Sequence, residues 1–203
     1  MGFKQPNDVF NMPPSLVSGW TFENYQVVFL QSSYPTFLLN SVVIVGLTVV
    51  VTLTLGVAAG YALSRFDFSA GEDLQFFALT TRMGPPIAFG LPLYVIFSRL
   101  NLLDTVPAMV IVYILMNLAF AIWMMKGFFD EIPSKLEEAA QMDGYSRISA
   151  FRKVALPMAK PGIFATAIFV FIFSWNEFFY GFLLTNAAAK PYTVQLLAFQ
   201  GSY

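Results

Sequence analysis

The chain has 203 residues, 57% of them hydrophobic and 11% charged, with a formal net charge of −1. Soluble domains carry about 25% charged residues, so this composition excludes an ordinary soluble domain, while the near-neutral charge decides nothing about partners. With neither Cys nor His, the chain has no disulfides, none of the usual zinc sites, no Cys nucleophile and no His acid–base chemistry.

Residues 1–35 are polar and aromatic and lack a basic segment leading into an apolar core, so they are not a signal peptide. Thr21 is placed to cap a short helix from Phe22 to Leu30. Trp20, Phe22 and Tyr25 suit a membrane interface. The segment reads as an anchored external loop or as a docking surface for an external partner.

Residues 36–64 carry no charge and exceed the roughly 20 residues that cross a hydrocarbon core of about 30 Å. Gly56 and Gly60 within this span let a second helix approach closely. Residues 74–97 form a second candidate span, interrupted by Arg82 and by Gly84-Pro85-Pro86. A broken helix with an internal cation suggests a cavity lining; the alternative is that Arg82 snorkels to one membrane face. Residues 106–125 form a third span with Tyr113, Asn117 and Met124 at helical spacing. Asn117 is an interhelical hydrogen-bonding residue or a substrate contact.

Residues 126–160 are polar and hold Lys126, Lys135, Arg147, Arg152, Lys153 and Lys160, more than half of the eleven basic residues. The positive-inside rule places them in the cytoplasm. Residues 65–73 then lie inside as well, and residues 98–105 and 185–203 lie outside. Residues 161–184 form the fourth span, with Asn176, Glu177 and Tyr180 on one face and Glu177 as its one acid. An intramembrane acid is a functional candidate by default; the alternative is a bond that holds two helices together. The spans are too long and too evenly apolar for barrel strands. The class is all-α, a polytopic transmembrane helical bundle forming one membrane domain.

The cytoplasmic segment carries most of the information. Ser134-Lys135-Leu136-Glu137 has the pattern of a capping box, so a helix is expected from Ser134. Gly144 offers a left-handed stop, and Ser146 can cap a second helix to Val154. Pro157 and Pro161 discourage continuation into the next span. Ala139 and Ala140 present little side chain, which suits insertion into a groove.

Glu138-Ala139-Ala140, then Asp143-Gly144, then a hydrophobic stretch closing in Leu156-Pro157 resembles the EAA loop of ABC importer permeases. Asn40-Ser41, Leu100 through Thr105, and Trp175-Asn176-Glu177-Phe178 are similar to the carbohydrate branch of that family, of the maltose-permease type. Thr81 through Pro86 looks like the sugar- or polyol-importing members, whereas Tyr145 stands where the family usually has Ala. The resemblance implies a type I (MetI-like) permease of a bacterial cytoplasmic membrane, with a coupling helix over Glu138–Gly144. It implies Glu138, Ala139, Ala140, Asp143, Gly144, Leu156 and Pro157 as coupling residues.

Its implied partners are a dimeric ABC ATPase, a second and different permease chain, an extracytoplasmic solute-binding protein and the lipid bilayer. The expected solute is a sugar or polyol, with Arg82, Asn117, Asn176, Glu177 and Tyr180 along its path. No metal, cofactor or nucleic acid is expected. The chain lacks the G-x-x-x-x-G-K-[ST] phosphate loop, so ATP hydrolysis falls to the partner. Six spans are typical of this branch, so the first and last are expected to be absent here. Other readings compete: a permease for another small solute, a membrane enzyme using Glu177, which lacks the paired acid such chemistry needs, and a channel or purely structural subunit without ATP coupling.

Overall fold

The computed structural model describes residues 21–67, 76, 80 and 84–200, with backbone only at 24, 31 and 198–200. The described residues form helices and connecting turns, with no strand among them. A short helix α1 (Glu23–Gln26) runs into a π-helical turn, Val27–Gln31, and Thr21 Oγ1 accepts from the Glu23 N–H at 3.2 Å. Trp20 lies outside the described residues.

The bundle is built on two long helices, α2 (Tyr34–Arg65) and α4 (Val106–Asp130). With 32 residues, α2 is about 48 Å long, more than a hydrocarbon core needs. Its buried residues are Ser41, Ile44, Val45, Thr48, Thr52, Gly56 and Gly60, a stripe of mostly small side chains at helical spacing. The facing stripe of α4 runs from Ala108 and Met109 through Val112, Tyr113, Asn117 and Ala121 to Met125 and Phe129. A Cβ on Gly56 would stand 2.9 Å from Ala121 Cβ, and one on Gly60 would stand 2.7 Å from Met125 Cβ. The glycines therefore serve α4, and the close approach leaves no room for a methyl group.

A third helix, α7 (Lys160–Trp175), packs across both through Gly162, Thr166, Val170 and Ser174. Thr166 donates to Gly162 O at 2.7 Å and lies 3.6 Å from Met125 Sδ. Hydroxyls bonded back to their own helix can sit in an apolar seam without an unpaired donor. Thr48 does the same to Ile44 O at 2.8 Å.

One span breaks where the sequence places an interruption, and another breaks where a continuous helix is expected. Within the 74–97 region the interruption falls at Gly84-Pro85-Pro86 as expected: residues 76 and 80 are helical, Pro85 is extended, and α3 (Pro86–Arg99) starts at Pro86, since a proline favours the first helical position. With 14 residues, α3 is about 21 Å long, shorter than the hydrocarbon core. The run 161–184 divides into α7 and a half-helix, α8 (Phe179–Leu184), separated at Asn176–Phe178. Among the described residues, only α2 and α4 are single helices long and apolar enough to cross a membrane; a third crossing is available if the bent pair Arg147–Met158 and Lys160–Trp175 counts as one.

One end of the bundle is closed by Asp104. Its φ of +56° places it in the left-handed region, as does Asn101 at +54°, residue types that tolerate this conformation. The Asp104 carboxylate then accepts the N–H groups of Asn186, Ala187, Ala188 and Ala189 at 2.9–3.0 Å. Asn40 Nδ2 donates to Ala188 O and Lys190 O, and Ser41 Oγ accepts from Tyr192 N, tying the same loop to α2. The loop leads into α9 (Tyr192–Gln200).

Substituting Gly60 with Val is expected to cost about 1–3 kcal/mol through overpacking. Gly46→Ala should cost nothing, because a Cβ there meets no atom within 4 Å. Thermal unfolding of the two variants in detergent reads the difference. Burial alone would raise the Asp104 carboxyl, but the four backbone donors outweigh it and pull its pKa from 3.8 to about 2. Its contribution to stability is full above pH 3.8 and declines as pH falls through about 2. Asp104→Asn should therefore speed amide hydrogen exchange at Asn186–Ala189 at neutral pH, while leaving α2 protected.

Candidate functional site

Two groups of residues stand out, one at the basic end of the bundle and one inside it. At the basic end, α5 (Ser134–Met142) follows the short turn after α4. Pro133 takes the N-cap position and no side chain caps the helix. The helix starts at Ser134 as expected, but the capping box does not form: Glu137 turns inward instead. Its carboxylate receives Arg65 Nε at 2.7 Å and the Tyr61 hydroxyl at 2.5 Å, and the residue is 4% exposed.

The far end of α5 is a Schellman stop. Tyr145 N–H donates to Ala140 O and Gly144 N–H to Gln141 O, with Gly144 at φ +92°. A Cβ on Gly144 would meet nothing within 4 Å, so the requirement for glycine here is conformational, not steric. Ser146 Oγ accepts the Ser149 N–H at 3.3 Å and starts α6 (Arg147–Ala150).

This second helix does not end at Val154. It continues through a π-helical turn, Phe151–Ala155, into Leu156–Met158. Pro157 removes a donor and crowds the carbonyl four residues back; the wider turn just before it accommodates both. The chain then bends by 69° into α7.

Glu138, Ala139, Asp143 and Gly144 face solvent, Leu156 is half-buried and Pro157 is exposed. Ala140 is different: it is buried against the following segment, so it packs this helix pair and does not form its outer face. The outer face also carries Leu136, Met142 and Ile148, with Met142 89% exposed. Leu136 shares the helical period of Ala139, Ala140 and Asp143; the sequence signal for Met142 and Ile148 is an apolar residue on an otherwise polar helix pair. Tyr145 has a local role, since Lys153 Nζ lies 4.5 Å above its ring.

Inside the bundle is a cavity of about 270 Å³ lined by Gly84, Pro86, Tyr113, Met116, Asn117, Phe173, Ser174, Glu177 and Tyr180. Three of the five expected path residues, Asn117, Glu177 and Tyr180, therefore meet there. Asn176 does not: it is exposed, and its Nδ2 bonds back to Ile172 O at 2.8 Å. Arg82 lies outside the described residues.

The break between α7 and α8 positions Glu177. Its two oxygens accept the N–H groups of Tyr180 at 2.9 Å and Gly181 at 3.2 Å, so the carboxylate caps α8. An anion at a helix N-terminus satisfies free donors and meets the positive end of the helix dipole. These carboxylate bonds are local to the start of α8 and do not join two separate spans, and the residue also lines the cavity.

Asn117 donates to Tyr113 O at 2.8 Å and to Ser174 Oγ at 3.2 Å, joining α4 to α7. Its Oδ1 has no partner among the described residues, and the Tyr113 hydroxyl faces Glu177 without a well-formed hydrogen bond. Tyr113 and Ser174 complete the polar lining; the sequence reading noted Tyr113 only for its helical spacing. The Asn117 acceptor, the Tyr113 and Ser174 hydroxyls and the Glu177 carboxylate converge on a cavity whose remaining lining is mostly aromatic and apolar.

Residues 52–200 match a family described as binding-protein-dependent transport system inner membrane component. The chain belongs to this family. It is 35% identical over 202 residues to a probable ABC transporter permease protein, y4oR, of Sinorhizobium fredii, covering all of this chain and 73% of that protein. It is 40% identical over 183 residues to the trehalose transport system permease protein SugB of Mycobacterium tuberculosis, covering 90% and 67% of the two. The fold matches a chain in the crystal structure of a bacterial ABC transporter that imports the acidic polysaccharide alginate. The TM-score is 0.79 at 25% identity, covering 98% of this chain and 70% of that one.

The protein is thus an inner-membrane ABC transporter permease, and its all-α bundle is the fold the sequence implied. Its α5–α6 segment carries the EAA sequence, and its cavity lies between α4, α7, α8 and the start of α3. For this permease, Glu177→Leu should fray α8 and lower stability by about 0.5–2 kcal/mol, as loss of a helix cap does. Glu177→Gln keeps one carbonyl acceptor and should lose less. Thermal unfolding in detergent, followed by fluorescence of the neighbouring Trp175, measures both.

Proposed function

We propose that this permease subunit forms part of the path of an ATP-driven importer for a sugar or polyol. A separate ATPase dimer drives it through α5. The observation that carries the coupling reading is the shape of the 134–158 segment. It is a short helix stopped at Gly144, with Glu138, Ala139, Asp143 and the apolar Met142 and Ile148 turned away from the bundle. Such a face fits a groove on a partner, and its acids Glu138 and Asp143 suit basic groups there. The chain has no phosphate loop, so hydrolysis belongs to the partner.

The solute class is supported by the cavity and by the relatives. A polyhydroxylated solute offers donors to Asn117 Oδ1 and Glu177 and an acceptor to the Tyr113 hydroxyl, and its apolar faces suit Phe173 and Tyr180. Relatives named for trehalose and alginate transport point to the same class. The cavity is small for a disaccharide, since ligand pockets usually span about 300–1,000 Å³. A second, different permease chain supplies the facing wall, and an extracytoplasmic binding protein delivers the solute.

The test uses the assembled importer in proteoliposomes, with labelled trehalose outside and ATP within reach of the ATPase. Gly144→Asp forces a side chain into φ +92° and should tilt the end of α5. Uptake is expected to fall by about tenfold or more, with ATP hydrolysis no longer stimulated by the solute. Wild-type uptake by this variant, present at normal amounts in the membrane, would end the coupling proposal. Failure of any labelled sugar or polyol to enter through the wild-type importer would end the solute proposal.

A further inference from the structure

Glu137 is the acid of the 134–157 segment that does not face solvent. Both of its oxygens are held by the last turn of α2, Oε1 by Arg65 Nε at 2.7 Å and Oε2 by the Tyr61 hydroxyl at 2.5 Å. Tyr61 and Arg65 are four residues apart and so share one helix face. The same guanidinium reaches Ile132 O at 2.8 Å through Nη2 and Ser64 Oγ at 2.9 Å through Nη1. Ser64 in turn bonds Asp130 at 2.6 Å, and Asp130 pairs with Lys126 at 2.7 Å. The Tyr61 ring rests edge-on against Phe129 at 5.4 Å and lies 4.4 Å from Phe151.

Three elements therefore converge on the inner end of α2: the end of α4, the turn before α5, and the π-helical turn after α6. Among the described residues, helix α5 packs broadly on α6 and that π-helical turn. The Glu137 carboxylate links it directly to α2. A buried ion pair adds little net stability, because desolvation offsets most of its attraction. What it does supply is fixed direction: a carboxylate held at both oxygens does not slide as an apolar contact can.

We infer that Glu137, Arg65 and Tyr61 form the joint through which displacement of α5 is passed to α2, with Glu137 as a positioning residue. Because α2 and α4 meet without room for a methyl group, a pull on this joint moves both long helices and the cavity wall that α4 carries. The inference rests on the reading of α5 as the ATPase-docking helix.

The test uses the complete importer in proteoliposomes, measuring solute imported and ATP hydrolysed in the same vesicles. The variants are Glu137→Gln, Tyr61→Phe and the exchange Glu137→Arg with Arg65→Glu. Glu137→Gln should lower the ratio of solute imported to ATP hydrolysed by about tenfold. Tyr61→Phe, which removes one of the two bonds, should lower it less. The exchange should recover part of the ratio lost in Glu137→Gln, which a packing defect would not allow.

An unchanged ratio in Glu137→Gln overturns the joint. So does a proportional fall of uptake and hydrolysis with the amount of assembled complex, which would make Glu137 an ordinary structural residue. Loss of the ATPase from purified Glu137→Gln importer also overturns it, by placing Glu137 in the docking surface. If Gly144→Asp transports normally, the docking helix and the joint fall together. If Gly144→Asp is uncoupled and Glu137→Gln is not, the joint alone falls.

Discussion

The rest of the bundle depends on the seam between α2 and α4. Gly56 and Gly60 bring the α2 backbone so close to Ala121 and Met125 that a single methyl group would collide. In lipid, burial of apolar surface does not hold helices together, since the tails are as apolar as leucine. Close backbone approach and the dispersion contacts it permits take that role. α7 then lies across both helices, with Gly162 against Phe128 and Thr166 against Met125. The polar features all sit at fixed heights along this paired rod.

Each polar group in the bundle is placed by where its partner can be found. Glu177 is tolerated because the chain breaks beside it and exposes the N–H groups of α8. Asn117 spends its donor on Tyr113 O and Ser174, which leaves its acceptor toward the cavity. Asp104 draws four successive backbone donors into one clamp and so fixes the loop between α8 and α9. At the opposite end, Glu137 draws α5 against α2 through Arg65 and Tyr61. The 185–191 loop and the proposed handle are both anchored to the paired rod, so movement at one end has a mechanical route to the other.

Legibility in the sequence varied from one element to the next. The uncharged run from Thr36 to Ser64 could be nothing but a long apolar helix. Gly144 announced its stop, because a residue there must adopt positive φ. Glu137 read as a capping-box acid, since only local partners are visible in sequence. Its actual partners lie 72 and 76 residues away. The fourth span read as continuous, because Asn176-Glu177 interrupts an apolar run without Gly or Pro. Ala140 read as part of a groove-fitting face, although a nine-residue helix must turn one of its alanines inward.

The sequence by itself determined that this is an all-α membrane chain, which of its loops is basic, and that the loop carries a permease's EAA pattern. Composition, run length and local motif are properties of short stretches, and a bilayer leaves little choice but helix for stretches so apolar. Only the tertiary structure decided which helix Gly56 and Gly60 serve, that Glu177 caps a half-helix beside a cavity, and that Glu137 joins α5 to α2. The reason is physical: a buried carboxylate can be satisfied by any suitably placed donor, and the folded chain alone determines which donor is within 3 Å.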